Sequence, residues 1–362
     1  MKTRSLKDII IVVSFTILII GMFILNIVIK DKEISVSERR KLTQFPKINI
    51  DQIFSGNTTQ SLEKYTVDQF VGRDFFRSIK QFVSFNILRQ KDNNNMFEEN
   101  NSIYKMEYPL SETNVNKNIE KINGIYDKYL TKSNVYYVII PDKNYYLEND
   151  EHLKIDYTKL KEMFNKKINS NIKYIDIWND LNLNSYYKTD LHWKQEEILS
   201  VANTIKNNMD LQNENTEYNK EYVGEYYGTY YGQLSSNVKP DDMYILKNNI
   251  IDDCVTYNYE KKEYNKIYDY KVTQDKYDIY LSGATPIIEI VNESAKESKE
   301  LLLFRDSFGS SLAPLLIDNY SKITLIDIRY ISSSILENYI EFKNQDVIFI
   351  YSTLILNQNL FK

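Results

Sequence analysis

Only two histidines occur in the 362 residues, and one of them lies in the stretch SYYKTDLHWKQEE, Ser185 to Glu197. Histidine is the side chain whose ordinary pKa suits it to take up and return a proton near neutral pH. His192 follows an acid, Asp190, by two positions and is followed at once by Trp193. Residues two apart do not face each other on a helix, but on a loop a carboxylate at i−2 can fold back onto the ring Nδ1–H. A second stretch, LLLFRDSFGSSL, Leu301 to Leu312, puts Ser307 where an apolar strand ends and a helix begins. Open parallel sheets bind ligands at the carboxyl ends of their strands, and a helix N-terminus offers amides and positive potential to a developing oxyanion. Ser307, His192 and Asp190 are therefore a candidate nucleophile, base and orienting acid. Their order along the chain is no obstacle, because such triads recur in several orders. The competing readings are that Ser307 or Asp306 caps a helix and that His192 is a surface residue. His152, in ENDEHLKID, is read that way.

The surrounding elements must bring these residues together. From Leu301 onward LLLF, KITLIDIRY and DVIFIYSTLIL read as buried strands, alternating with helical GSSLAPLLIDNY and SSSILENYIEFK. Near-continuous apolar strands in a βαβαβ pattern signal a parallel sheet covered on both faces. Upstream, NVYYVIIP and IKYIDIW are further strands, and ETNVNKNIEKINGIYDKYL and YTKLKEMFNKKI are helices. Ser61 to Gln90 reads as one helical, phenylalanine-rich segment. Residues 210–280 are tyrosine-rich and read as an irregular insertion of hairpins. The expected fold is a three-layer α/β sandwich with a mainly parallel sheet over residues 61–362.

Composition narrows the classes. The net charge of −5 gives no basic footprint for nucleic acid. Cys254 is the only cysteine, so neither an intrachain disulfide nor a cysteine or histidine-rich zinc site is available. No P-loop or EF-hand motif is present, and neither cofactor nor metal is expected. Ile9 to Ile29 carries no charge and has roughly the 20 residues needed to cross a bilayer core. The run is longer than a signal-peptide core and lacks an A-x-A cleavage pattern. Residues 1–8 are read as a cytoplasmic tail, 9–29 as an uncleaved transmembrane anchor and 30–60 as a juxtamembrane linker, with the large domain extracytoplasmic. Basic residues flank the run on both sides, so the positive-inside rule alone does not set this orientation. Tyr226, Tyr227, Tyr230 and Tyr231 can stack on sugar rings, or they are half-buried strand tyrosines in a chain with 31 tyrosines.

TDLHW together with RDSFG resembles the DHHW protein family, itself similar to alginate O-acetylation proteins with an SGNH-hydrolase-like domain. The resemblance extends through SERRKLTQFP, YTVDQFVGRDFF, VIIPDKNYYL, YYGTYYGQL, YLSGATP and LIDIRY, in that order along most of the chain beyond the anchor. It implies an SGNH-like fold in circularly permuted motif order, with Ser307 as nucleophile, His192 as base and Asp190 as its orienter. It also implies acyl transfer to a cell-surface polysaccharide, with a membrane-bound O-acyltransferase as acyl supplier. Leu191 replaces the first histidine of Asp-His-His-Trp but leaves the Asp-x-His spacing intact. Ala284 follows Gly283 where the family usually has asparagine, which removes one candidate oxyanion donor. The amides of Gly283 and Ser307 remain candidates for that role. Tyr230, Tyr231, Arg305, Arg329 and Tyr330 are the candidate substrate contacts. The alternatives are a carbohydrate esterase with the same triad and a non-catalytic polysaccharide-binding scaffold. No carboxylate pair is placed as a retaining glycosidase would need.

Overall fold

The computed structural model describes residues 6–35, 38, 40–46, 57–148, 151–211, 216–236, 238–271 and 275–362. The chain forms two compact units, Met1–Asn93 with Tyr231–Asn237, and Asn94–Tyr230 with Val238–Lys362. Residues 61–93, expected with the α/β domain, fall in the first unit, with the N-terminal apolar helix.

In that first unit α1 (Leu6–Val28) is long and apolar enough to cross a membrane and has no buried residue. The helix expected from Ser61 to Gln90 is two helices, α2 (Asn57–Asp68) and α3 (Arg73–Phe82). Gly72 separates them with φ 77°, a left-handed value that glycine adopts without steric cost. Much of the expected linker is tied down. The Arg40 guanidinium grips Asp68 through two bonds of 2.9 and 2.6 Å, and the Thr43 amide and hydroxyl both donate to the same carboxylate.

The second unit is built on an eight-stranded sheet. In chain order its strands are β1 (Asn134–Ile140), β2 (Ile172–Tyr174), β3 (Val255–Asn258), β4 (Glu263–Asn265), β5 (Ile287–Val291), β6 (Glu300–Arg305), β7 (Lys322–Ile326) and β8 (Asp346–Ser352). Their spatial order is β4-β3-β5-β7-β6-β8-β1-β2. The run β7-β6-β8-β1-β2 is parallel, and β5, β3 and β4 continue it antiparallel. Every residue of β8 and all of β6 after Glu300 are buried. Both faces of these central strands are therefore covered, which is why LLLF and VIFIY show no polar alternation. Helices α4 (Glu112–Ile125) and α5 (Tyr157–Lys167) form where the 3.6-residue periodicity places them, capped by the Ser111 and Asp156 side chains.

Three segments differ from expectation. GSSLAPLLIDNY is α-helical only over Phe308–Leu312 and continues as 3₁₀ turns, because Pro314 has no N–H to give to the helix ladder. SSSILENYIEFK forms one 3₁₀ stretch, Ser333–Asn338, whose first amide donates to the Lys362 carbonyl at 3.0 Å. Residues 210–280 contain a hairpin (Asn219–Tyr226 with Asp241–Lys247) and also β3 and β4, so part of this region extends the main sheet.

Candidate active site

Ser307 follows the end of β6, and its side chain makes no capping bond to the short helix it precedes. Asp306 takes that work instead. Its Oδ1 accepts the Phe308 amide (3.0 Å) and its Oδ2 accepts the Ser352 amide at the end of β8 (2.8 Å). The turn is thus pinned to the neighbouring strand while Ser307 alone in the stretch Leu301–Gly309 stays partly accessible.

His192 rides on a tight loop. Tyr186 and Trp193 form an antiparallel bridge, the Tyr187 amide donates to the His192 carbonyl (3.1 Å) and the Lys194 amide to the Ser185 carbonyl (2.8 Å). Two side chains beyond the histidine clamp this loop to the helix after Ser307. Trp193 is fully buried, its Nε1–H donates to Ser311 Oγ at 2.8 Å, and its ring meets Phe308 edge-on. Gln195 Nε2 donates to the Ser311 carbonyl at 2.9 Å. Fixing Ser311 fixes where the helix turn, and hence Ser307, lies relative to the imidazole.

His192 Nε2 is 2.7 Å from Ser307 Oγ, and His192 Nδ1 is 2.5 Å from Asp190 Oδ1. With Nδ1–H donated to the carboxylate, Nε2 presents its lone pair to the serine hydroxyl. Asp190 is wholly buried, and its oxygens also accept the His192 amide (2.9 Å) and the Thr229 amide (2.6 Å). A buried carboxylate without such donors would be costly; here both oxygens are satisfied. The imidazole face is covered by Tyr277, stacked at 3.9 Å between ring centroids, whose hydroxyl shares a 2.8 Å hydrogen bond with Ser311. Tyr277 leaves the ring little freedom except the orientation that spans Asp190 and Ser307.

A second layer holds the residues before Asp190. Asp241 accepts the Lys188 and Thr189 amides and the Thr189 hydroxyl, at 2.8, 2.9 and 2.6 Å. Thr189 Oγ1 in turn accepts the Gly228 amide at 2.9 Å. A Cβ on Gly228 would lie 2.2 Å from the Thr189 carbonyl oxygen and 2.3 Å from Asp190 Cβ, so only glycine permits this approach. Gly228→Ala is expected to cost about 1–3 kcal/mol by overpacking and to slow any reaction that depends on Asp190, read by denaturant titration alongside turnover.

Lys143 is buried beneath the same loop, and its ammonium donates to the Tyr187 and Lys188 carbonyls at 3.0 and 3.2 Å. Burial pushes its pKa down to about 7, against the pull of Asp190, Asp241 and Asp142 in the other direction. A neutral amine keeps two N–H donors, enough for both carbonyls. Between that value and the ordinary lysine pKa the unfolded chain holds a proton that the folded chain lacks. Stability from this group therefore rises with pH across that window, by up to about 1.4 kcal/mol per unit. Lys143→Met is expected to lose that rise, so wild type gains on the variant between pH 7 and 10 in urea unfolding.

The other expected site residues are placed differently. Gly283 has φ 86°, its amide points to the Tyr280 carbonyl (3.4 Å), and its Cα faces the Asp278 carboxylate, so this amide is already engaged and is not an open oxyanion donor. Tyr230 is buried with the Lys143 ammonium 5.2 Å over its ring and offers no platform for a sugar. Tyr231 belongs to the first unit, with the N-terminal apolar helix. Arg305 is 1% exposed beneath the sheet's end, with Nη1 3.9 Å from Asp327. Arg329 is bound bidentately by Asp327 at 2.8 and 2.6 Å, leaving little to give a substrate. Tyr330 is half exposed and lies against the Arg329 guanidinium. His152 stacks on Phe97. Among the described residues no group of three His, Cys, Asp or Glu side chains is arranged to hold a metal. Asp241 and Tyr277 lie in none of the motifs read from the sequence; Thr189 and Trp193 lie in TDLHW, Lys143 in VIIPDKNYYL and Gly228 in YYGTYYGQL, but nothing in those stretches shows that they support the site.

No family model and no curated protein matches this sequence. Solved structures do match. A DHHW family protein from Eubacterium siraeum aligns with TM-score 0.63 and 19% identity, covering 74% of this chain and 93% of its own. Bacillus cereus PatB1 aligns with TM-score 0.61 and 18% identity over 75% of this chain and 99% of its own. The same PatB1 with a sulfonyl adduct aligns with TM-score 0.58 and 17% identity, covering 74% of this chain and 97% of that one. This chain shares the α/β fold of a DHHW family protein and of PatB1.

Proposed function

We propose that this protein is a membrane-anchored, extracytoplasmic O-acyltransferase that moves acyl groups, acetyl above all, onto a cell-surface or secreted polysaccharide. The observation that carries the reading is the hydrogen-bonded chain Ser307 Oγ, His192 Nε2, His192 Nδ1, Asp190 Oδ1. His192 takes the Ser307 proton as Oγ attacks the acyl carbonyl, and Asp190 stabilises the imidazolium. The proton passes to the leaving group as the donor's acyl bond breaks, which leaves an acyl-serine. An acceptor sugar hydroxyl, deprotonated by His192, then attacks the ester carbonyl and frees Ser307. The Ser307 amide, at the start of a helical turn, is the proposed oxyanion donor. The acyl supplier is proposed to be a membrane-bound O-acyltransferase, and the apolar α1 would hold this chain in the same membrane. The fold shared with a DHHW family protein is consistent with this chemistry.

The esterase alternative differs only in letting water resolve the acyl-serine, and the engaged Gly283 amide gives the site fewer donors for either outcome. The scaffold alternative rests on Ala284 in place of asparagine and on the abundant tyrosines, and the burial of Tyr230 weakens the second of these. The test is to incubate the full chain in detergent with p-nitrophenyl acetate and follow intact mass. One acetyl group mapped to Ser307, discharged faster by oligosaccharide than by water, supports transfer. Discharge indifferent to sugar favours the esterase, and a folded protein that never acquires the adduct overturns both.

A further inference from the structure

Helix α3 is built inside out. Its polar positions are the buried ones: Gln81 and, just past the helix, Ser84 are 5% and 6% exposed. Arg73 and Arg77 pair with Glu38 at 2.7 and 3.2 Å. The opposite face carries Phe75, Ile79 and Phe82, extended at its ends by Phe70, Phe76 and Ile87, all exposed, with Phe75 at 65% and Phe82 at 55%. A helix on a water-soluble surface has the reverse polarity, and a contiguous aromatic patch of this kind marks an interaction surface.

The chain itself indicates what covers it. Asn26, in the last turn of α1, accepts the Val71 amide at 2.9 Å while its Nδ2 donates to the Met22 carbonyl. Gln69 bonds both the amide and carbonyl of Lys32, and Tyr65 donates to Asp31. The corner leading into α3 is thus fastened to the outer end of the apolar helix. Asn26 lies three residues before the end of the uncharged run at Ile29, about 4.5 Å at the α-helical rise of 1.5 Å per residue. Interfacial helices seat their apolar faces about 5–10 Å into the headgroup–acyl boundary, and Val71 is tied within about 5 Å of the end of the apolar run. Lys30, just after the uncharged run, and Lys80, on α3, are both exposed, and lysine near an interface extends its ammonium to the headgroups.

We infer that α3 is an in-plane membrane helix whose phenylalanine face lies in the leaflet at the C-terminal end of α1, so that the protein holds its membrane by two elements. This inference rests on the membrane-anchor reading. The test places tryptophan at position 82 by Phe82→Trp in the full chain, reconstituted into phosphatidylcholine vesicles with or without lipids brominated at acyl carbons 6 and 7. Phe75→Trp serves as a second site and Phe23→Trp as the anchor reporter. The native Trp178 and Trp193 are buried in the other unit and provide a constant background. The inference expects the added emission at positions 75 and 82 to fall at least twofold in brominated vesicles, as it does at position 23. Quenching at 23 alone leaves the anchor standing and overturns the inference; unquenched but blue-shifted emission at 82 would assign the face to a protein, such as a second copy of this chain. No quenching at any site overturns the anchor and the inference together.

Discussion

Ser307→Ala is expected to abolish the acyl adduct, and His192→Ala to slow its formation by roughly 10⁴-fold or more. The two residues act as one unit, because the hydroxyl is a weak nucleophile unless Nε2, 2.7 Å away, accepts its proton. The double variant is therefore expected to be no slower than the worse single one, a non-additivity that independent contributions would not produce. Neither change touches the bonds that hold the turn, which run through Asp306, Ser311 and Ser352. Thermal unfolding of Ser307→Ala should stay within about 1 kcal/mol of wild type. Adduct formation in the Ser307→Ala protein would sink the assignment of the nucleophile.

Asp190→Asn is expected to cost about 10⁴-fold in turnover with the fold retained. The carboxylate accepts two bonds from His192 on one oxygen and the Thr229 amide on the other. An asparagine offers one acceptor and one donor. If its oxygen stays toward His192, its NH₂ meets the Thr229 N–H; if it turns round, NH₂ faces Nδ1 and drives the proton to Nε2. An Nε2–H imidazole cannot take the Ser307 proton. Turnover measured against pH, with unfolding as control, separates this tautomer effect from simple loss of structure. A variant with near-normal turnover would remove Asp190 from the proposed chemistry.

The residues that meet at this site were legible because their types are scarce and their positions informative. Two histidines leave little choice of base, and a serine just past LLLF is held at a strand end by the same apolar run that buries the strand. The supports were not legible, since nothing local announces them. Asp241 reaches back 52 residues to Thr189, and Thr229 reaches 39 residues to Asp190. Tyr277 looked like any of 31 tyrosines. The same abundance blurs the tyrosines read as substrate contacts: tyrosine here also serves as a large core residue, and Tyr230, like Tyr187 and Tyr280, is buried as such. Helical periodicity also overreached. It cannot register Pro314, nor a backbone amide at Ser333 drawn away to a carbonyl near residue 362.

The strand order has a bearing on biogenesis. β8 is the last of the eight strands to be synthesised, yet it lies between β6 and β1 and its final amide grips the Asp306 carboxylate beside Ser307. A nascent chain therefore carries an open slot in the middle of its sheet until residue 352 has been made. The turn that carries Ser307 lacks this partner before then. Premature stops between Ile326 and Asp346 leave β6 and β1 without their shared neighbour, and the two strand edges so exposed favour aggregation and proteolysis over partial activity.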